Sequence, residues 1–254
     1  MTRIGFLGRG LLYISLAALV ITTRHSADLS AALEFLGHGL GRWLLVVIAV
    51  GLTTYGIWRL TDAAFGTEAG RHSWKSRRKR AASAGVGAVY LYFAFKAAHI
   101  LLGGHAEQNE MSRHADTILD LPGGTLVLAA IALGIAIAAL VQARIALRCS
   151  FLRPLDSDAI AAPVRWLGRI GYSARAVIVL LVAFLIARSA IDNRSTEAGG
   201  TKQALALLST PWLYAVAVGL LLFGIFGLVE ARYRRVRRPP VDKIKRDIDE
   251  AMRT

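Results

Sequence analysis

Apolar residues are gathered into six long runs along this chain. They occupy residues 4–23, 43–60, 81–102, 121–141, 170–187 and 211–229. Each run approaches the roughly 20 residues that a helix needs to cross the hydrocarbon of a bilayer. A strand exposed to lipid would leave its backbone groups unpaired, so the runs predict transmembrane helices. A soluble all-helical fold is the alternative, but it would need long amphipathic helices to cover the apolar ones, and the sequence has none of sufficient length.

The first apolar run also fits a secretory signal peptide, with Arg3 as its basic region. However, Arg9 interrupts this run, and no small-x-small cleavage site follows before Arg24. We therefore expect the first helix to be retained, which gives an all-α membrane protein with six transmembrane helices.

A short motif recurs at the start of three of the six runs. Segment 3–10 reads R-I-G-F-L-G-R-G, and segment 169–176 reads R-I-G-Y-S-A-R-A. A weaker copy, R-A-A-S-A-G-V-G, occupies 80–87, and Tyr90 follows it at the spacing at which Tyr13 follows the first copy. The recurrence predicts three tandem repeat units of two membrane helices each.

The second helices of the three units also end alike. Asp62 stands near the end of the first and Glu230 near the end of the third, and Gln142 takes this place in the second. The repeat divides the chain into units one, two and three at 1–66, 81–149 and 169–236, cytoplasmic linkers at 67–80 and 150–168, and a basic, amphipathic tail at 237–254.

The motif R-x-G-[FY]-x-[GA]-R-[GA], together with the acid that closes the second helix, resembles the pattern of the bacterial DUF1206 family. The resemblance covers the chain from about Arg3 to Val236, and the second copy departs from the pattern at Val86 and Gln142. It implies an integral membrane protein of six helices, built from three copies of one domain. It implies no particular activity.

Basic residues are concentrated at one end of the predicted helices. Of the 31 Lys and Arg residues, 24 lie at that end, six lie at the other, and Lys96 lies inside a span. The positive-inside rule then places both termini in the cytoplasm. All five tryptophans lie at or near span ends, where an amphipathic ring prefers the headgroup region.

Arg9 and Arg175 are charged residues within predicted spans. At a rise of about 1.5 Å per residue they lie about 9 Å deeper than the first arginine of each motif. Three roles fit such a residue. Its guanidinium can snorkel to the headgroups, form a structural ion pair, or bind an anion or a lipid headgroup.

An ion pair within each of two units is the most specific of these hypotheses. Arg9 would meet Asp62 in unit one, since both groups approach the cytoplasmic face. Arg175 would meet Glu230 in unit three, and unit two lacks both charges. The alternative is local pairing along the second helix, with an arginine three residues before Asp62 or four residues after Glu230.

Lys96 stands alone in the outer half of the third span, with His99 one turn further along the same face. An intramembrane lysine is a functional hypothesis by default, so these two residues form a candidate polar site. The alternative is that Lys96 snorkels outward toward Gly103.

No catalytic or metal-binding pattern stands out. His105 and His114 lie in an outer loop, but their spacing matches no strong metal-ligand pattern. The sequence has no nucleophile elbow, no zinc-protease motif and no phosphate-binding loop. We therefore expect no enzyme activity, no metal and no cofactor.

Two basic runs, 71–80 and 232–238, lie beside predicted spans. Next to a membrane such runs are better explained by contacts with anionic lipid than by nucleic acid, which we do not expect as a partner. The residues of the second run that we expect to contact lipid headgroups are Arg232, Arg234, Arg235, Arg237 and Arg238.

A short apolar segment precedes each second helix, at 31–36, 117–121 and 203–208. Each predicts a short helix in the outer membrane interface, with a re-entrant loop as the alternative. Small residues at the helix starts, such as Gly5 and Gly8, predict close packing of the membrane helices.

Composition and motifs together favour a structural or accessory component of a bacterial cytoplasmic membrane that contacts lipid and other membrane proteins. The alternative is a small transporter or channel whose cavity is lined by Arg9, Lys96 and Arg175.

Overall fold

A computed structural model describes residues 2–27, 29–37, 39, 41–65, 74–104, 110–155 and 161–234. Within them the chain forms α1 (Thr2–Thr23), α2 (Leu29–Leu36), α3 (Gly41–Phe65), α4 (Trp74–Leu101), α5 (Glu110–Leu119), α6 (Gly124–Leu147), α7 (Ala162–Asp192), α8 (Thr201–Ala206) and α9 (Thr210–Tyr233), with 3₁₀ turns at Ser150–Leu152 and Ser195–Glu197. The helices α1, α3, α4, α6, α7 and α9 are long and apolar enough to cross a membrane, which confirms the predicted fold class.

Two of the spanning helices begin earlier than the apolar pattern indicates. Helix α4 starts at Trp74, inside the segment 67–80 that we assigned to a linker. The basic residues of that segment are good helix formers, so the helix continues beyond the apolar part. Helix α7 starts at Ala162 with Pro163 in its first turn, a position where the missing N–H of proline costs no hydrogen bond.

The six spanning helices pack in a cyclic order. The second helix of each unit packs on the first helix of the next: α3 on α4, α6 on α7, and α9 of unit three back on α1 of unit one. Within units one and three, the two helices of the unit also pack on each other, α1 on α3 and α7 on α9. The spanning helices therefore form a ring with approximate threefold symmetry between the repeats.

The ring is open inside unit two. Over the residues that the structure describes, α4 and α6 do not pack along each other as the helix pairs of the other two units do. We call the space between these two helices the gap. Its position means that unit two is divided, with α4 attached to unit one and α6 attached to unit three.

Glycines at matching repeat positions hold successive units together. A Cβ on Gly56 of α3 would lie 3.1 Å from the carbonyl oxygen of Gly87 in α4. A Cβ on Gly224 of α9 would lie 2.7 Å from the carbonyl oxygen of Gly10 in α1. Both contacts are too tight for an ordinary side chain, so the absence of a Cβ sets the distance between these helices.

A second set of glycines closes units one and three from within. A Cβ on Gly8 would lie 2.7 Å from the Cα of Gly51, and one on Gly171 would lie 2.6 Å from the Cα of Phe223. This confirms the expected close packing at the starts of α1 and α7. Gly85 occupies in unit two the position of Gly8 in unit one. A Cβ on Gly85 would have no neighbouring atom within 4 Å, because this residue borders the gap.

The loop between the two spanning helices of each unit contains one of the predicted short helices, α2, α5 and α8 in units one, two and three. Helix α2 packs against α1, α3 and α4, α5 packs against α6 and α7, and α8 packs against α7. Leu33 of α2 and Leu205 of α8 are fully buried. The apolar sides of these two helices are thus covered by the bundle.

Helix α1 is the most buried of the spanning helices. Of the 18 consecutive residues that make the most apolar segment of α1, 67% are buried. In the corresponding segment of α6, 22% are buried. The difference follows from the ring, because α1 packs between α3 and α9 while α6 has its main partner on one side only. Polar groups on α1 therefore lie at the centre of the described structure.

Candidate functional site

Arg9 of α1 forms a buried ion pair with Glu230 of α9. The Arg9 guanidinium donates from Nη2 to Oε2 of Glu230, and from Nη1 to the hydroxyl of Tyr55 at 3.4 Å. Arg9 is 5% exposed and Glu230 is 1% exposed. The pair joins the end of unit three to the start of unit one, so it ties together the two ends of the described chain.

Aromatic rings surround the Arg9 guanidinium. Its central carbon lies 5.0 Å from the ring centroid of Phe6, 5.5 Å from that of Tyr55 and 5.1 Å from that of Phe223. These distances allow cation–π attraction, which is stronger where water is excluded. We call the group of Arg9, Arg175, Glu230 and the rings around them the central cluster.

The predicted ion pairs within units one and three are wrong, because each arginine binds a residue of another unit. Arg9 binds Glu230 of unit three and not Asp62 of its own unit. Arg175 binds the hydroxyl of Tyr13 and not Glu230. The reason is the cyclic packing, because the end of each second helix faces the first helix of the next unit.

Asp62 also contacts the first helix of the next unit, at the junction between units one and two. It is 6% exposed, and it accepts a hydrogen bond of 2.8 Å from the hydroxyl of Ser83 in α4. Ser83 occupies the repeat position of Phe6. Both acids that close a second helix therefore contact the first helix of the following unit.

Gln142 takes the place of these acids in unit two. Its Oε1 is buried and has no hydrogen-bond partner in the structure. A buried carbonyl oxygen without a donor is unfavourable, so Gln142 leaves a polar group unsatisfied at the junction between units two and three.

Arg234 lies inward and not toward lipid headgroups as predicted. Its Nη1 donates to Oε1 of Glu230 at 2.8 Å, and its guanidinium carbon lies 4.5 Å from the centroid of Phe6. This is the local pair that we held as the alternative, and it coexists with the pair to Arg9. The buried carboxylate one turn back along α9 attracts the side chain inward.

Arg175 has no carboxylate partner among the described residues. Its Nε donates to the hydroxyl of Tyr13 at 2.9 Å, and its guanidinium lies 5.5 Å from the centroid of Tyr13 and 5.2 Å from that of Phe223. The residue is only partly buried. The charge of Arg175 is thus stabilised by two rings and one hydroxyl, whereas the charge of Arg9 is stabilised by the carboxylate of Glu230.

Two further buried polar atoms of the central cluster lack partners. The hydroxyl of Tyr90 has none, although the residue is only 4% exposed and its ring packs edge-on against Tyr55 at 4.7 Å. The Nε of Arg9 also has no acceptor. The cluster therefore offers more hydrogen-bond donors than the described part of the chain supplies acceptors.

Lys96 and His99, the two residues of the candidate polar site, differ in burial. Lys96 is 8% exposed, and its Nζ lies 5.8 Å from the ring centroid of Tyr92. His99 is exposed, and its ring stacks on Phe95 with centroids 6.4 Å apart. Lys96 is not among the described contacts of Arg9 or Arg175.

The remaining candidate residues lie apart from the central cluster or outside the described residues. Arg232 is exposed, as a residue in contact with headgroups would be. Arg235, Arg237, Arg238, His38 and His105 fall outside the described residues. Within the described part of the chain, no group of three His, Cys, Asp or Glu side chains is arranged to hold a metal ion.

Sequence analysis missed the aromatic half of the cluster. Tyr55 and Phe223 occupy the same position of units one and three, which counting from the closing acids would have revealed. The match between Tyr13 and Tyr90 was visible, but their contacts lie between units and had no signature in the sequence.

The sequence matches the family described as Domain of Unknown Function (DUF1206) in three segments, residues 4–66, 81–148 and 170–234. Each segment covers one repeat unit, including both of its spanning helices. No curated protein and no solved structure matches the chain.

Proposed function

We propose that this chain, which belongs to the DUF1206 family and carries six helices fit to cross a membrane, is an accessory component of a bacterial cytoplasmic membrane. In this role it binds lipid and another membrane protein and catalyses no reaction. The observation that carries the proposal is the use of its intramembrane charges. Arg9 and Arg234 both bind Glu230, and the pair of Arg9 with Glu230 joins unit one to unit three.

This use of charge favours an accessory role over a transporter. A transport cavity lined by Arg9, Lys96 and Arg175 would need the three side chains to converge on one pathway. The guanidinium of Arg9, on α1, instead lies among packed aromatic rings, and Lys96, on α4, lies beside Tyr92 of its own helix. The pair of Arg9 with Glu230 stabilises the ring.

The lipid-facing side of α6 supports contact with another membrane protein. Ala130, Gly134 and Ala138 are exposed and recur every four residues, so they form a stripe along one face of the helix. A Cβ on Gly134 would meet nothing within 4 Å, so the fold of this chain does not require glycine there. Small residues on a lipid-facing side let a second helix approach closely.

Substitution of Gly134 tests the protein contact. Gly134→Leu introduces a large side chain without a clash inside the chain, so the protein should fold while the partner helix is pushed away. Ala129→Leu is the matched control, because Ala129 is also exposed but lies on another side of α6. After mild detergent extraction, a partner should copurify in stoichiometric amount with wild type and Ala129→Leu, and not with Gly134→Leu.

Equal recovery of the partner with all three proteins, or no stoichiometric partner with any of them, would contradict the accessory role. Loss of a self-associated form with Gly134→Leu would instead identify a second copy of this chain as the occupant of the stripe. Native mass spectrometry of the extracts distinguishes these results.

The orientation of the chain is part of the proposal, with both termini in the cytoplasm. It rests on the excess of basic residues at one end of the spans. In a Cys149→Ser background, a cysteine at Glu197 should react with an impermeant reagent in intact cells. A cysteine at Arg165 should react only after the membrane is opened, and the reverse pattern would refute this orientation.

A further inference from the structure

The central cluster contains more cationic groups than its carboxylate can neutralise. Glu230 is shared by Arg9 and Arg234, while Arg175 contacts only a hydroxyl and two rings. A buried positive charge is unfavourable in a membrane unless an anion accompanies it. The balance of charge around Arg175 is therefore incomplete within the described structure.

The unsatisfied donors of the cluster lie near the same charge. The ring of Tyr90 packs against Tyr55, whose hydroxyl accepts a hydrogen bond from Arg9, and the Tyr90 hydroxyl has no hydrogen-bond partner among the described residues. The guanidinium carbons of Arg9 and Arg175 lie 5.1 Å and 5.2 Å from the centroid of the same ring, that of Phe223. The buried Nε of Arg9 is likewise unused. A guanidinium, a hydroxyl and a second guanidinium N–H together match the several acceptor oxygens of a phosphate group.

The gap lies beside α4, the helix that carries Tyr90. In unit one the corresponding interface is closed where Gly8 meets Gly51. In unit two the matching positions are Gly85, which has open space around it, and Ile131, which is 39% exposed. Apolar side chains therefore line the opening, and Val86 stands at the repeat position that holds an arginine in the other two units.

The depth of the cluster also fits a lipid phosphate. Arg175 lies about 9 Å along α7 from Arg169, at a rise of about 1.5 Å per residue. The basic ends of the spans mark the headgroup level, so Arg175 lies just below it. A phosphate held there would be drawn slightly into the bilayer, with its acyl chains leaving between α4 and α6.

We propose that Arg175, the Tyr90 hydroxyl and the Nε of Arg9 bind a phosphate group, which an anionic phospholipid supplies through the gap. Arg175 provides the charge, and Tyr90 donates a hydrogen bond that no described residue accepts. Lipid phosphate and free phosphate share this chemistry, and the apolar walls of the gap favour the lipid. The site does not depend on the protein partner proposed for α6.

Two variants separate the site from the fold. Tyr90→Phe removes only a hydroxyl without a partner, so the unliganded protein should be as stable as wild type or more stable. Arg175→Gln removes the charge and retains hydrogen-bonding capacity. Arg165→Gln is the control, because Arg165 is exposed at the start of the same helix.

The experiment measures ligand binding to the full chain in a neutral detergent. Thermal unfolding and native mass spectrometry are followed with phosphatidic acid, with phosphatidylcholine and with inorganic phosphate. Phosphatidic acid should raise the unfolding temperature of wild type and of Arg165→Gln. Its affinity should fall about tenfold in Tyr90→Phe and about 100-fold in Arg175→Gln, as expected for hydrogen bonds to a charged group.

Equal affinity of all four proteins for phosphatidic acid, or no difference between phosphatidic acid and phosphatidylcholine, would overturn the lipid site. Stabilisation by inorganic phosphate with the same dependence on Tyr90 and Arg175 supports the phosphate site and assigns its ligand to the aqueous phase. Absence of any effect of either ligand refutes it. None of these results alters the copurification test at Gly134, so the two proposals fail separately.

Discussion

Arg9 and Arg175 occupy the same position of two repeats, yet their surroundings differ. The second helix that packs against each arginine's helix belongs to the preceding unit of the ring. For Arg9 that unit is the third, which provides Glu230, while for Arg175 it is the second, which has Gln142 at the corresponding position. Gln142 thus stands where the other units have an acid. As a result Arg9 is paired with a carboxylate, while Arg175 is not and can bind a ligand.

A double-mutant cycle tests the pair of Arg9 with Glu230. Each single change to Gln should destabilise the solubilised protein by about 3–5 kcal/mol, because it leaves a buried charge without its partner. The double variant should lose much less than the sum of the two. Unfolding by heat or denaturing detergent measures the coupling between the two residues.

The matched cycle combines Arg175→Gln with Glu230→Gln. These two residues are not in hydrogen-bond contact, so their effects should add to within about 0.5 kcal/mol. Strong coupling here, together with additivity in the first cycle, would restore the pairing within unit three and contradict the pairing across the ring.

Helix contacts in this protein depend on where the small residues are placed. Gly8 and Gly51 let α1 and α3 touch through their backbones, and Gly56 and Gly87 do the same for α3 and α4. Gly85 has the same repeat position as Gly8 but no helix against it. The same residue type therefore has a packing role in one unit and borders an opening in another.

Alanine at Gly8 and at Gly85 should have opposite effects on stability. At Gly85 the change should stabilise the helix by about 0.5–1 kcal/mol, since alanine has a lower conformational entropy than glycine in the unfolded chain. At Gly8 the new Cβ would meet Gly51 at 2.7 Å, and overpacking should cost about 1–3 kcal/mol. Equal unfolding temperatures for the two variants would argue that unit two is closed like unit one.

The whole molecule is a ring that is closed between units three and one and open within unit two. The ion pair of Arg9 and Glu230 lies at the closure, and the gap lies within the unit that lacks both charges. Because the first and last spanning helices pack together, the two ends of the described chain stabilise each other. The opening in unit two lies beside α4, the helix whose Tyr90 packs into the central cluster.

Cysteine pairs test the shape of the ring in a Cys149→Ser background. Cysteines at Leu60 and Gly87 should form a disulfide on oxidation, since a Cβ on Gly87 would lie 3.0 Å from the Cγ of Leu60. Cysteines at Gly85 and Ile131 should not, because the gap separates α4 from α6. Efficient oxidation of the second pair in the membrane would show that the ring closes there.

Much of the candidate site was visible in the sequence as separate parts. The arginines of the motif, the closing acids and the match of Tyr13 with Tyr90 all follow from aligning the three copies. The assignment of partners failed because we paired residues within a unit. Glu230 lies 221 residues from Arg9, and nothing in either segment indicates that the last helix returns to the first.

The six helices and the three repeats follow from the amino-acid sequence, because the length and apolarity of a segment decide whether it can cross a membrane. Backbone hydrogen bonding then requires such a segment to be helical. The order of the helices around the ring is visible only in the folded molecule. In lipid, helices associate through close contacts between small residues and through polar pairs, and these depend on which faces meet. The pairing of Arg9 with Glu230, the unpaired Tyr90 hydroxyl and the gap all follow from that arrangement.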